Sequence, residues 1–98
     1  MTQWTYRFRV PDEVAKLLRQ MHPHLKKKIK AGLKTIIGDP NSGKALKDEL
    51  IGLRSFRVSR FRIIYRIASN KVLDIIAIGP RARIYEETFL LLKKEKNK

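Results

Sequence analysis

Between Leu53 and Arg83 the chain carries seven arginines and one lysine against a single acid, Asp74. The planar fork of arginine matches phosphate oxygens two at a time, so this stretch has the chemistry of a phosphate-binding surface. Phe56 and Val58 alternate with Ser55 and Arg57, and Phe61, Ile63, Tyr65 and Ile67 alternate with Arg62, Ile64 and Arg66. These are the patterns of two strands with the second set of each facing outward. A two-residue turn at Ser59 and Arg60 would pair Val58 with Phe61 and set Arg57 directly across from Arg62. Two guanidinium groups side by side cost stability, and an anion between them removes that cost. Further on, Arg81, Arg83 and Tyr85 are spaced by two, and an extended backbone there would project all three to one side, beside Arg57 and Arg62.

RNA is the polyanion this set suits best. Cleaving RNA through its own 2′-hydroxyl needs a group to deprotonate that hydroxyl, a proton for the leaving 5′-oxygen, and stabilisation of a phosphorane with extra negative charge. Arginine serves the third need and serves the first badly, because it keeps its proton. Tyr85, Lys44 and Lys47 are the groups left open for proton transfer, with a tyrosine packed at a helix start as the alternative role of Tyr85. His22 and His24 flank Pro23 between two helices, and no spacing ties them to the arginines. The sequence has no cysteine, no Gly-rich phosphate loop, no nucleophile elbow and no metal-ligand cluster. Thiolate and disulfide chemistry are thereby excluded, and neither a metal nor another cofactor is expected.

The elements that must hold these residues follow from periodicity. Trp4, Tyr6, Phe8 and Val10 alternate with Thr5, Arg7 and Arg9 as a strand. Pro11, Asp12 and Glu13 open a short helix bearing Val14, Leu17, Leu18 and Met21. Pro23 starts a second helix with the stripe Leu25, Ile29, Leu33, Ile36 and Ile37, closed by Gly38, Asp39 and Pro40. On it Lys26, Lys30 and Lys34 form a ridge, either a solvated face or a track for phosphates. Residues 41–52 are polar and read as a loop. Val72 to Ile78 is apolar on both faces apart from Asp74, which marks a central strand reached through a turn at Ser69 and Asn70. From Tyr85 to about Lys94 a last helix is expected, fraying after Lys93.

The whole of residues 1–98 thus reads as one α+β domain: an N-terminal strand, a two-helix hairpin, a three-stranded antiparallel meander joining one sheet, and a short C-terminal helix. A net charge of +14, from 23 basic and 9 acidic side chains, calls for an anionic partner. With 43% hydrophobic residues the chain is expected to fold. No apolar run approaches the roughly 20 residues of a membrane helix, and a cytoplasmic location with no membrane contact is expected.

The segment from Leu46-Lys47 through Leu50-Ile51-Gly52-Leu53-Arg54, the run Arg57-Val58-Ser59-Arg60-Phe61-Arg62-Ile63-Ile64-Tyr65, and the ending Ile78-Gly79-Pro80-Arg81-Ala82-Arg83-Ile84-Tyr85 resemble the RelE/ParE toxin superfamily. The resemblance implies the toxin of a type II toxin-antitoxin pair, held inactive by a small acidic antitoxin. RelE-like members cut messenger RNA in the ribosomal A site; ParE-like members inhibit DNA gyrase and generally lack the C-terminal arginine and tyrosine. Arg62, Arg81 and Tyr85 match the RelE-like catalytic positions, which implies an endoribonuclease of the mRNA interferase type. Arg57 and Ser55 stand where the best-studied members have catalytic lysines, and Lys44 falls near a glutamate used by a related subgroup. The expected catalytic set is Arg57, Arg62, Arg81 and Tyr85. The expected RNA contacts are Lys26, Lys30, Lys34, Lys44, Lys47, Arg54, Arg66 and Arg83, and the expected partners are the antitoxin, messenger RNA and the ribosome. A gyrase inhibitor on the same fold and a non-catalytic RNA- or ribosome-binding protein are the other two readings.

Overall fold

In the computed structural model, which describes residues 6–96, five strands form one sheet in the order β1-β5-β4-β3-β2. Strand β1 (Arg7–Arg9) runs parallel to β5 (Val72–Pro80), and β2 (Lys44–Ala45), β3 (Arg54–Val58), β4 (Phe61–Ile67) and β5 pair antiparallel in succession. The expected first strand shrinks to its centre, and Trp4 and Thr5 of that expectation lie outside the described residues. Strand β5 is central, as its two apolar faces require: it has β1 on one side and β4 on the other. A bulge between Ile64 and Tyr65 keeps β4 and β5 in pairing along their length.

Helices α1 (Asp12–Gln20) and α2 (Pro23–Gly38) cover one face of the sheet. Pro11 is extended and cannot donate, so the chain leaves β1 there, and Asp12 and Glu13 occupy the first turn of α1, where its dipole favours carboxylates. His22 caps α2 by accepting from the backbone N–H of His24 through Nδ1 at 3.1 Å, a structural role. Ile29 and Ile36 pack with Val14, Val58, Ile63, Tyr65, Leu73, Ile75 and Ile78 into the main core. Gly32 allows this approach, since a Cβ there would come 2.7 Å from a Val58 methyl.

The opposite face differs from the sequence reading. It is covered by α3 (Arg81–Lys96), so Ile64, expected to face outward, is fully buried with Leu53 and Ile84 in a second cluster. Helix α3 begins at Arg81, four residues earlier than expected, and continues past Lys93 to Lys96. Pro80 completes β5, and the next backbone N–H, that of Arg81, donates to the Arg60 carbonyl at 2.8 Å, which turns the chain straight into the helix. At 100° per residue Arg81 and Tyr85 share one side of α3 while Arg83 points away from it, so these three do not project together as an extended segment would have them do.

The expected loop of residues 41–52 also holds more order. It contains β2 and two short 3₁₀ turns, Pro40–Ser42 and Asp48–Leu50. No local pattern dictates this; side chains from the neighbouring strands do. The Tyr65 hydroxyl donates to the Pro40 carbonyl at 2.6 Å and accepts from the Gly43 N–H at 3.0 Å. Arg54 donates to the carbonyls of Gly43 and Asn41 at 3.0 and 3.1 Å. Gly43 must lack a side chain, because a Cβ would sit 2.6 Å from the Tyr65 oxygen. No helix among the described residues is long and apolar enough to cross a membrane.

Candidate active site

The β3–β4 hairpin closes in the register read from sequence: Val58 pairs with Phe61 and Arg57 with Arg62. Ser59 takes the left-handed conformation, φ 57°, that so tight a turn needs. Arg62 in turn lies opposite Gly79 of β5, so the row across the sheet reads Arg57, Arg62, Gly79. Gly79 lets the start of α3 settle onto this row, since a Cβ there would be 2.9 Å from the Ile84 terminal methyl.

The first turn of α3 rises beside the hairpin turn and leaves an open cleft of about 540 Å³, lined by Arg57, Ser59, Arg60, Pro80, Arg81 and Ala82. Three of those six carry guanidinium groups. Arg57 is exposed, with Nε donating to the Ser59 carbonyl at 3.3 Å. Arg62 is half-buried, and its Nε, shielded from solvent, meets no acceptor among the described residues. A buried donor without an acceptor is costly, and a ligand oxygen would relieve it.

Below the cleft is a chain of polar contacts. Arg62 Nη1 lies 3.5 Å from Ser55 Oγ, and Ser55 Oγ lies 3.0 Å from the Tyr85 hydroxyl. Ser55 is 1% exposed; the Tyr85 ring is half-buried against the cluster of Leu53, Ile64 and Ile84. Lys44 of β2 is directly across from Ser55 and exposed. The geometry therefore gathers Arg57, Arg62, Arg81, Tyr85 and Lys44 around one end of the sheet, together with Ser55 and Arg60, neither of which was in the expected catalytic or RNA-contact set. Arg60 carried a signal in its turn position, and Ser55 in its match to a family lysine position, but the hydrogen bond of Ser55 to Tyr85 needed the helix above it to be known.

The rest of the expected RNA contacts are dispersed. Arg54 is bound to the carbonyls of Gly43 and Asn41. Arg66 donates to Asp74 Oδ2 at 3.0 Å. Arg9 approaches the same carboxylate with both Nε and Nη2, the latter at 2.8 Å from Oδ2. The hydrogen bond from Arg9 is the main cause holding the Asp74 carboxyl below the usual aspartate range; desolvation opposes it and Arg66 adds to it. Lys26, Lys30 and Lys34 belong to α2, across the sheet from α3, with Lys26 Nζ 3.4 Å from the Arg19 carbonyl. Lys47 is exposed beyond β2, and Arg83 is exposed on α3. Among the described residues no group of three or more His, Cys, Asp and Glu side chains could hold a metal ion.

This arrangement, a five-stranded mixed sheet with two helices on one face and one on the other, is the fold of RelE toxins. The chain is similar to the RelBE2 toxin-antitoxin complex of Mycobacterium tuberculosis, with TM-score 0.69 and 24% identity over 79% of this chain and 99% of that one. It is similar to a free double Arg-to-Ala mutant of E. coli RelE, with TM-score 0.66 and 18% identity over 87% and 90% of the two chains. It is also similar to the RelE–RelB complex of Pyrococcus horikoshii OT3, with TM-score 0.65 and 24% identity over 81% and 98%. No individually curated protein matches the sequence. The family model for the ParE toxin of the type II toxin-antitoxin system parDE matches residues 7–85, and the chain belongs to that family, within the RelE/ParE superfamily of toxins.

Proposed function

We propose that this toxin is an endoribonuclease that cuts messenger RNA at the ribosomal A site and so stops translation in the cytoplasm. The observation that carries the reading is the cross-strand pair Arg57 and Arg62, with Arg57 and Arg81 lining one open cleft and Tyr85 one helical turn below Arg81. In this mechanism the scissile phosphate seats on Arg57 and Arg62, and Arg81 approaches from the helix side. The message's own 2′-oxygen attacks phosphorus. Charge developing on the phosphorane oxygens is met by guanidinium groups already in place, which is where preorganised donors lower a barrier most. Lys44 continues the path of the strand beyond the cleft, and Lys47, Arg83 and the lysines of α2 contact RNA farther from the cut. An acidic antitoxin covers the arginine cleft in the inactive complex, since a partner that silences a surface of net charge +14 gains from complementary potential.

The family match favours a second reading, inhibition of DNA gyrase. One experiment separates the two. The protein is incubated with translating ribosomes and the 5′ ends of the message are mapped, with gyrase supercoiling assayed in parallel. Cuts inside codons support the endoribonuclease; intact message with lost supercoiling supports the gyrase inhibitor; intact message with unaffected gyrase leaves an RNA- or ribosome-binding protein.

A further inference from the structure

The cleft between the hairpin turn and the start of α3 is larger than a phosphate needs. At about 540 Å³ it falls within the size of sites that hold small organic molecules, roughly 300 to 1,000 Å³. Its lining is of two kinds. Arg57, Arg60 and Arg81 bring guanidinium groups, while Pro80 and Ala82 bring apolar side chains that offer a phosphate nothing. An apolar surface beside guanidinium planes suits the face of a nucleobase, and single-stranded RNA is read where its bases splay out onto such surfaces. Arg57 is the strand partner of Arg62 in the phosphate seat, and Arg81 serves that seat from the helix. Arg60 remains. It stands two residues from Arg62, no more than about 7 Å along the chain, and so beyond the phosphate toward the tip of the hairpin.

Although Arg60 sits in a turn, the backbone around it is tied down. The Arg81 N–H donates to its carbonyl at 2.8 Å, the Ser59 carbonyl accepts from Arg57 Nε at 3.3 Å, and Phe61 pairs with Pro80. The Arg60 side chain is exposed, and no carboxylate among the described residues pairs with it. We propose that Arg60 is a specificity-determining residue, which reads the O6 and N7 acceptors of a guanine that adjoins the scissile phosphate and lies on Pro80 and Ala82. The proposal rests on the endoribonuclease reading and deepens it by naming the base. Guanine places two acceptors side by side, and the guanidinium fork meets them with two donors. Adenine has a donor where guanine has O6, and pyrimidines lack N7, so neither satisfies both prongs. The fixed turn lowers the ordering cost of the contact.

The test programs ribosomes with messages that differ only in the base on either side of the cut and compares kcat/KM. Guanine at one of the two positions should be cut about 10-fold or more faster than adenine, the scale of one bidentate arginine contact. Hypoxanthine, which keeps O6 and N7, should behave as guanine does, and 7-deazaguanine, which lacks N7, should lose about 3-fold or more of the advantage. Arg60→Lys keeps the positive charge and loses the fork, so its guanine-to-adenine ratio should fall to within about 3-fold of unity. A ratio does not depend on the fraction of protein that is folded, so lost stability cannot imitate that result. Equal cutting of guanine and adenine messages by the unaltered protein, or a full guanine preference in Arg60→Lys, would overturn the assignment. Failure of the unaltered protein to cut any of the messages would instead overturn the endoribonuclease reading on which it rests.

Discussion

The face of the sheet beneath α3 carries two sets of arginines, and they are used in opposite ways. At the hairpin end, Arg57 and Arg62 stand side by side and Arg81 lines a cleft with Arg57, with no carboxylate bound to any of the three in the described structure. At the other end, Arg9 and Arg66 come from the strands on either side of β5 and close on Asp74, the one acid of that strand. The residue type and the sheet face are the same; the difference is a single buried carboxylate. Where it is present, guanidinium groups tie three strands together. Where it is missing, at Arg57, Arg62 and Arg81, no carboxylate among the described residues neutralises them. Arginine count is thus a poor guide to a phosphate site, and the supply of internal acceptors is a better one.

The largest effect that would test this contrast is expected at Arg81. Replacing Arg81 with Ala should lower message cleavage by about 10²-fold or more, as expected when a preorganised transition-state charge is removed. Its urea midpoint should stay that of the unaltered protein, because the Arg81 backbone N–H, not the side chain, bonds to Arg60. A variant that cuts normally, or one that unfolds, would remove Arg81 from the site.

A smaller effect belongs to the paired end. Asp74→Asn should cost about 1 to 2 kcal/mol of stability at pH 7, a figure kept low because Arg9 and Arg66 both reach solvent. Asp74 titrates lower in the folded chain than in the unfolded one, so its contribution is present above the ordinary aspartate value of about 3.9. That contribution disappears as pH falls through the lowered folded value. Urea denaturation at pH 7 and pH 2.5 should therefore show a gap between Asp74→Asn and the unaltered protein that narrows in acid. A gap that widens in acid would contradict the pairing.

The smallest effect is expected on α2, which separates a lysine surface from both arginine sets. Changing Lys26, Lys30 and Lys34 to Gln should weaken ribosome binding only modestly and flatten its salt dependence, by about 0.7 to 0.9 in log-log slope for each phosphate that is no longer neutralised. An unchanged slope would make that ridge a solvated face.

The hairpin register was legible on the condition of a two-residue turn at Ser59 and Arg60, an unfavoured pair of turn residues, and the left-handed Ser59 backbone meets that condition. The central place of β5 was legible from its two apolar faces. Strand β2 was not: Lys44 and Ala45 have no strand pattern, and their position depends on Tyr65 and Arg54, 21 and 10 residues after Lys44 in the chain. The start of α3 was hidden because Gly79 and Pro80 read as a break, whereas Pro80 ends a strand and leads directly into a helix. In the candidate site, Arg57 and Arg62 stood out by type and spacing, and Arg81 by type alone, since its spacing to Arg83 and Tyr85 read as extended backbone where the chain is helical. Ser55 was marked only by the resemblance, since its burial and its contact with the Tyr85 hydroxyl depend on the helix above it. Nor could the sequence show that Arg66 is claimed by Asp74 while Arg62 is left with an unpaired Nε; both lie on the outward face of one strand.

That last pair gives the most direct measurement. Arg62→Ala and Arg66→Ala remove the same group from the same face of β4, four residues apart, and their single-turnover cleavage rates on translating ribosomes can be compared side by side. The contrast between the two ends of the sheet predicts a loss of about 10²-fold or more for Arg62→Ala, with Arg66→Ala within about 3-fold of the unaltered protein once both are shown to be folded. Equal losses in the two variants, or a larger loss at Arg66, would contradict it.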